Sequence, residues 1–351
     1  MQAIRSMAIC KAASMIAAVA AAAAALTTGS AYADDKNPTI AVAMKTQVQR
    51  RWAFDLAAME REAKKQGAKL IVQWANDDPG LQASQVENLL SQKPDALIIV
   101  PVDSQAAGRI VRSAQAQGVP VIGYDVGITT AKLDYFLMRD NSRVGELQAQ
   151  GALKMAPKGT FALFKGDPGN DVAQAIAREY DARIVNNKDV KVVFNQFIRG
   201  WDPKTALANA ENVLSAQSDK VDGFVTANDG MAFAIAQALK ARSLSGKVYL
   251  SGLDADAANL QLIAQGVQTM SVWTDLDDAG SSAVKAAVAF ARKQKPSHMT
   301  EVDLGAGKVP THLVKVIPVT KDSLCSFISK EAPKGWVTAD DVFGAGKSPC
   351  P

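Results

Sequence analysis

The sequence predicts an α/β protein built as two doubly wound parallel-sheet lobes joined by a hinge. Three observations predict it. Short β-branched runs alternate with amphipathic stretches from residue 39 onward, which is the pattern of βαβ units. The alternation stops near residue 143 and then restarts in a second block of similar size. The chain has 351 residues, 48% hydrophobic and 21% charged, enough for more than one core. The same figures exclude intrinsic disorder and coiled coil. With 39 basic against 35 acidic residues, a chain that coats nucleic acid is disfavoured, and no nucleic-acid partner is expected.

In the first block, 39–44 (TIAVAM), 69–73, 96–100 and 119–124 read as buried strands, with a further strand at 134–138. Helical periodicity fills 52–66, 81–92 and 104–117, closed by Gly67, Pro94 and Gly118. In the second block the strands are 160–165, 190–196, 223–227, 247–251 and 269–273. The helices between them are 172–186, 204–216, 230–241 and 257–265. A helix at 279–293 and a strand at 313–319 complete no third domain, so each is expected to return to one of the two lobes. No Pro- or Ser-rich linker separates the blocks; the chain crosses through 138–143 as a short loop, a connection suited to hinge motion.

The N-terminus reads differently. Arg5 and Lys11 precede an alanine-rich apolar run at 12–26, and Ala31-Tyr32-Ala33 puts small residues at the two positions a signal peptidase reads. Residues 1–33 are expected to be a secretory signal cleaved after Ala33. The run is short against the ~20 residues of a spanning helix. Cys10 precedes it, which disfavours a lipoprotein. Removing the signal leaves a net charge of about +2, so the exported chain has no strong electrostatic preference. Export also directs the reading of Cys325 and Cys350, which are expected to form a disulfide pinning an irregular tail and to add roughly 3 kcal/mol. His298 and His312 stand at no metal-ligand spacing, and no CxxC is present.

Ligands of open α/β sheets collect outside the carboxyl ends of the strands. Here those loops carry Lys45, Gln49, Arg50, Arg51 and Trp52 after the first strand and Asp125 after the fourth. The second block supplies Asp167, Asn170 and Asp171, then Arg199-Gly200-Trp201-Asp202, Asn228-Asp229 and Asp254. Acids, amides, arginines and tryptophans suit an uncharged, polyhydroxylated ligand. Carboxylates and amides fix hydroxyl directions, and indoles cover the C–H face of a sugar ring. The competing reading is structural, since Asp and Asn after a strand are often helix N-caps, and Asp202 and Asp229 look like caps. Arg50 and Arg51 open a helix against its dipole, which favours a functional reason for at least one of them.

The ordered set Arg51-Trp52, Gly67-Ala68-Lys69, Tyr124-Asp125, Asp140-Asn141 with Val144-Gly145-Glu146-Leu147-Gln148-Ala149, Gly200-Trp201, Asn228-Asp229, Leu244-Ser245-Gly246-Lys247, Ser251-Gly252 with Asp254-Ala255-Asp256, and Gly266 with Gln268-Thr269-Met270 resembles the periplasmic D-xylose-binding proteins. These belong to the ribose-binding-like, type I periplasmic binding family of ABC importers. The resemblance runs from about residue 39 to about 317. It implies a periplasmic, monomeric receptor without cofactor that closes on a monosaccharide and delivers it to a membrane permease. It implies three crossings, dividing the chain into lobes 37–140 with 274–310 and 141–273 with 311–320, followed by a tail at 321–351. It assigns sugar contacts to Arg51, Trp52, Asp125, Trp201, Asn228 and Asp254, with Asn170 and Asp171 beside them. The chain departs from the pattern at Val126, where the family has arginine, and at Thr274, near where it has lysine. The 167–172 loop departs too, with Ala177 at the family's arginine position and Arg178 one residue along. A changed hydroxyl pattern at the ligand would follow.

No chemistry-bearing motif competes. Gly-x-Gly-x-x-Gly after a strand, Gly-x-Ser-x-Gly and His-Glu-x-x-His are all absent, and Gly346-Lys347-Ser348 lacks the first glycine of a phosphate loop, with Asp341 in its place. A sugar-responsive repressor would need a helix-turn-helix where the signal stands. An exported carbohydrate enzyme would turn over its sugar. A chemosensory receptor would leave no mark in the sequence.

Overall fold

Residues 37–47 and 50–350 are described by the structure, a computed structural model; the expected signal at 1–33 and Gln49 lie outside them. The first block forms β1 (Thr39–Met44), α1 (Arg51–Gln66), β2 (Lys69–Trp74), α2 (Pro79–Ser91), β3 (Ala96–Ile99), α3 (Ala107–Ala116), β4 (Val121–Tyr124) and β5 (Tyr135–Arg139). Strand β1 shows why the sheet is covered on both faces. Ile40, Val42 and Met44 enter one core cluster and Ala41 and Ala43 the other, because successive side chains of a strand alternate sides. Helix α1 ends at Gly67 in the left-handed conformation (φ 67°), and α2 starts on Asp78, which accepts from Gly80 N at 2.7 Å ahead of Pro79.

The second block forms α4 (Asn141–Met155), β6 (Thr160–Lys165), α5 (Asp171–Tyr180), β7 (Lys191–Phe197), α6 (Pro203–Ala216), β8 (Gly223–Thr226), α7 (Asp229–Ala241), β9 (Tyr249–Leu250), α8 (Ala257–Ala264) and β10 (Met270–Thr274). Then follow α9 (Leu276–Ala291), β11 (Thr300–Asp303), β12 (Lys308–Val314) and β13 (Val316–Thr320). The first sheet has the order β11-β12-β5-β4-β3-β1-β2, and the second β7-β6-β8-β9, with β10 and β13 paired antiparallel beside it. Helix α9 packs on α1, and Ala279, Ala283 and Ala287 join the first-lobe core. Phe161, Phe164, Phe224 and Ile176 centre the second core.

Two expectations are corrected. Residues 313–319 are not one strand: β12 pairs with β5 in the first sheet and β13 with β10 in the second, broken at Lys315. The third crossing therefore falls at Lys315, not at 310–311. Three crossings lie side by side, with Asp140 N bonded to Val314 O (3.4 Å) and Asp275 N to Lys315 O (3.1 Å). The tail is also not irregular. It carries the helical turns Leu324–Ser326, Phe327–Glu331 and Ala339–Phe343, and it buries Leu324, Phe327, Trp336 and Val342 against Trp273, Leu276 and Val319. Cys325 and Cys350 are disulfide-bonded, with Cα atoms 5.2 Å apart.

Helix α4 went unread in the sequence because Gly145 and Gly151 interrupt its periodicity. Both are packing sites. A Cβ at Gly145 would stand 2.7 Å from Ile176 O, and one at Gly151 would stand 2.6 Å from Tyr249 Oη. Exchanging a mid-helix Gly for Ala gains about 1 kcal/mol of propensity. The collision with the backbone of α5 outweighs that gain, so Gly145→Ala is expected to destabilise by about 1–3 kcal/mol in urea unfolding. A stabilised variant would contradict the packing account.

Candidate functional site

The carboxyl ends of β1, β4, β5, β6, β7, β8 and β9 converge on a cavity of about 490 Å³, within the range of small-molecule sites. Its wall includes Arg51, Trp52, Asp125, Asn170, Trp201, Asn228 and Asp254. Asp171 is not part of that wall. Its carboxylate accepts from Val172 N (2.9 Å) and lies near Gly127 across the rim, and burial raises its pKa.

Arg51 opens α1, and its guanidinium is shared: Nε donates to Asp55 (3.2 Å) and Nη2 to Asp125 (3.1 Å). Burial alone would lower its pKa, but Asp125 and Asp55 outweigh burial and raise it further. Burial would likewise raise Asp125, yet Arg51 and Arg139 hold it below the usual carboxylate range. Asp55 behaves oppositely, raised by burial although Arg51 and the Tyr124 hydroxyl stabilise its charge. The Arg51 guanidinium also lies 4.4 Å from the Trp52 ring, fixing the indole at the wall.

Three wall residues sit in the left-handed region without being glycine: Asp125 (φ 65°), Trp201 (φ 53°) and Asp254 (φ 105°). Such conformations are disfavoured and cluster where a site is pre-organised. Trp201 follows Gly200 (φ 65°), whose N–H donates to Asp167. The absence of a side chain at Gly166 makes room for the indole, since a Cβ there would stand 2.2 Å from the ring. Asp167 is thus a clasp for the Trp201 loop. Asp202 caps α6 as expected, accepting from Lys204 N and Thr205 N. The expected cap at Asp229 is corrected: Asn228 caps α7 by accepting from Met231 N (3.1 Å), and Asp229 is buried among Ser271, Gln268 and Asp256 N. Asn170 likewise caps α5 by accepting from Val172 N (2.9 Å), so two wall residues serve the fold and the cavity at once.

Two wall residues were not singled out in the sequence. Arg139, 6% exposed, ends β5 and donates to Asn141 (3.0 Å), Asp254 (3.4 Å) and Thr274 (3.4 Å). Its signal was available: a lone arginine closing the apolar strand YFLMR. The departures gain a physical reading from it, because Thr274 binds a cation supplied from β5 and Val126 faces the same cavity. Trp336 comes from the tail, which carried no expectation of a site. Among the described residues no group of His, Cys, Asp and Glu could hold a metal; His312 instead pairs with Asp278 at 2.9 Å. No described helix is long and apolar enough to cross a membrane.

Of the other wall charges, Lys45 lies 3.9 Å from Asp77 and Arg50 donates to the Gly335 carbonyl. Asp256, at the rim, is pushed up to about 6 by burial, with Asp254 adding to the shift and Arg50 opposing it. The folded chain therefore holds this proton to higher pH than the unfolded chain does. Through this group the native state binds more protons between about pH 4 and 6, and the contribution of Asp256 to stability falls as pH rises through that window. Asp256→Asn is expected to flatten this slope and to unfold at higher urea concentration than the parent at neutral pH. Identical slopes for the two proteins would contradict the shift.

Comparison with known proteins agrees with the architecture. Residues 40–295 match the periplasmic binding protein domain family. The D-xylose-binding periplasmic protein of Escherichia coli (strain K12) is 35% identical over 285 residues, covering 80% of this chain and 86% of that one. Its Haemophilus influenzae counterpart is 33% identical over 323 residues, covering 91% and 96%. A carbohydrate transporter solute binding protein from Chloroflexus aurantiacus, solved in complex with D-glucose, matches with a TM-score of 0.75 at 26% identity, covering 86% of this chain and 97% of that one. With most of its length matched by sequence and by fold, this chain belongs to the periplasmic binding protein domain family.

Proposed function

We propose that this chain is a periplasmic, monomeric receptor that captures a neutral monosaccharide, xylose or a related pentose or hexose, and hands it to the permease of an ABC-type importer. One observation carries the reading: acids, amides, arginines and three tryptophans line a single cavity, with Trp52 from the first lobe, Trp201 from the second and Trp336 from the tail, and its buried arginines are already paired, Arg51 with Asp125 and Arg139 with Asp254. Paired charges offer fixed donors and acceptors without demanding an ionic ligand. The D-xylose-binding relatives support the sugar class, and the binding-protein names of the relatives fit a receptor that leaves its ligand unchanged.

In this reading the signal at 1–33 directs export and the lobes turn about the three crossings. Contacts to the first lobe come from Arg51, Trp52 and Asp125, and contacts to the second from Asn170, Trp201, Asn228 and Asp254, with Asp171 at the rim. Only the closed form makes both sets, so sugar shifts the population toward closure. Micromolar affinity requires about 8 kcal/mol. A few buried charge-assisted hydrogen bonds at ~1.5–3 kcal/mol each, with indole stacking, reach that value.

Trp201→Ala and Asp254→Ala are each expected to weaken sugar binding at least tenfold in calorimetry, with circular dichroism unchanged. Parental affinity in both variants would defeat the assignment. Gly166→Ala should act in the same direction by displacing the Trp201 ring, and unaltered affinity would show that the indole is not a contact.

A further inference from the structure

Residues 321–350 lie beyond the family match, yet one tail side chain reaches the cavity. Trp336 is 4% exposed and touches both lobes. Its ring stands edge-on to Phe54 of α1 (5.1 Å) and to Trp273 of β10 (4.8 Å). Its indole Nε1 donates to the Ala255 carbonyl at 3.0 Å. The neighbouring Gly335 carbonyl accepts from Arg50, whose guanidinium lies 5.1 Å from the Trp336 ring. The segment is fastened around this point by the Cys325–Cys350 disulfide and by Gln261 Nε2 donating to Asp341 O (2.7 Å).

The carbonyl that Trp336 holds belongs to an unusual turn. Asp254 and Ala255 are consecutive non-glycine residues with φ of 105° and 51°. Backbone of this kind persists only where its surroundings over-determine it. Asp254 N donates to Val272 O (2.9 Å), Ala255 N to Ser271 Oγ (3.0 Å) and Asp256 N to Asp229 (2.9 Å). Those three bonds come from the second lobe itself. The fourth, on the Ala255 carbonyl, comes from the tail.

We infer that Trp336 is a positioning residue for ligand binding: its indole N–H fixes the Asp254–Ala255 turn so that the Asp254 carboxylate faces the cavity beside Arg139. The inference rests on the sugar-receptor reading and deepens it by giving the tail a part in the site. It also makes the disulfide a determinant of affinity, because Cys325–Cys350 fastens the segment that carries Trp336.

The test is calorimetry of D-xylose, D-ribose and D-glucose with the purified chain, its disulfide intact, using whichever sugar the parent binds. Trp336→Phe keeps an aromatic ring and removes the N–H. Affinity is expected to fall about tenfold, the size of one lost hydrogen bond, with the ligand-free melting temperature little changed. In an Asp254→Asn background, measured with sugar into the millimolar range, the same substitution should add no further loss, because its effect passes through Asp254. Cys325→Ser with Cys350→Ser, which leaves Trp336 in place, should weaken binding in the same direction and serves if Trp336→Phe does not fold. Parental affinity in Trp336→Phe, or a full additional loss in the Asp254→Asn background, overturns the inference while the receptor reading stands. A parent that binds none of the sugars overturns both.

Discussion

A buried charge must find a partner, and at this cleft the partners are one another. Arg51 pairs with Asp125 and with Asp55 behind it, and Arg139 with Asp254, while Lys45 and Arg50 find their partners in Asp77 and the Gly335 carbonyl. Removing one member of a buried pair costs about 3–5 kcal/mol, because the other is left uncompensated. The network therefore holds the cavity in one arrangement. Arg51 ties α1 to the end of β4, and Arg139 ties the end of β5 to the loop after β9, so the charges cross from one lobe to the other. The result is a polar surface that is electrically satisfied yet keeps directional donors and acceptors, a chemistry suited to hydroxyl groups.

The backbone carries the same theme. Asp125, Trp201 and Asp254 each point into the cavity from a left-handed turn, and each turn is pinned from outside the site. Asp125 N bonds to Leu137 O, Gly200 N to Asp167, and Asp254 N to Val272 O. In the proposed reading, lobes with pre-set side chains turn about the three crossings that run side by side.

Much of this was legible in the sequence. The strands of both sheets were readable because a strand buried on two faces is a continuous apolar run, as in β1 and β3. The loop chemistry was readable because topology fixes which ends face the ligand. Other features depend on tertiary contacts that no local pattern encodes. Helix α4 hides behind glycines that serve its packing against α5 and β9. The break at Lys315 follows from two sheets competing for one extended segment. Asn228 and Asp229 are both plausible caps by composition, and only the buried acceptor role of Asp229 toward Ser271 and Gln268 separates them. Arg139 was overlooked because a strand-terminal charge usually points to solvent, and Trp336 because a tail without periodicity gave no sign of its long-range partners.

The central claim is that a charge-compensated cleft grips a neutral sugar. Its most direct test is a calorimetric comparison of D-xylose and D-glucose with D-glucuronate, which keeps the pyranose ring and its ring hydroxyls and carries a carboxylate on C5. The account predicts micromolar or tighter binding of the neutral sugar, or of a neutral pentose or hexose in its place, and at least tenfold weaker binding of the anion. Preference for the carboxylate, or no heat from any neutral monosaccharide, would contradict it.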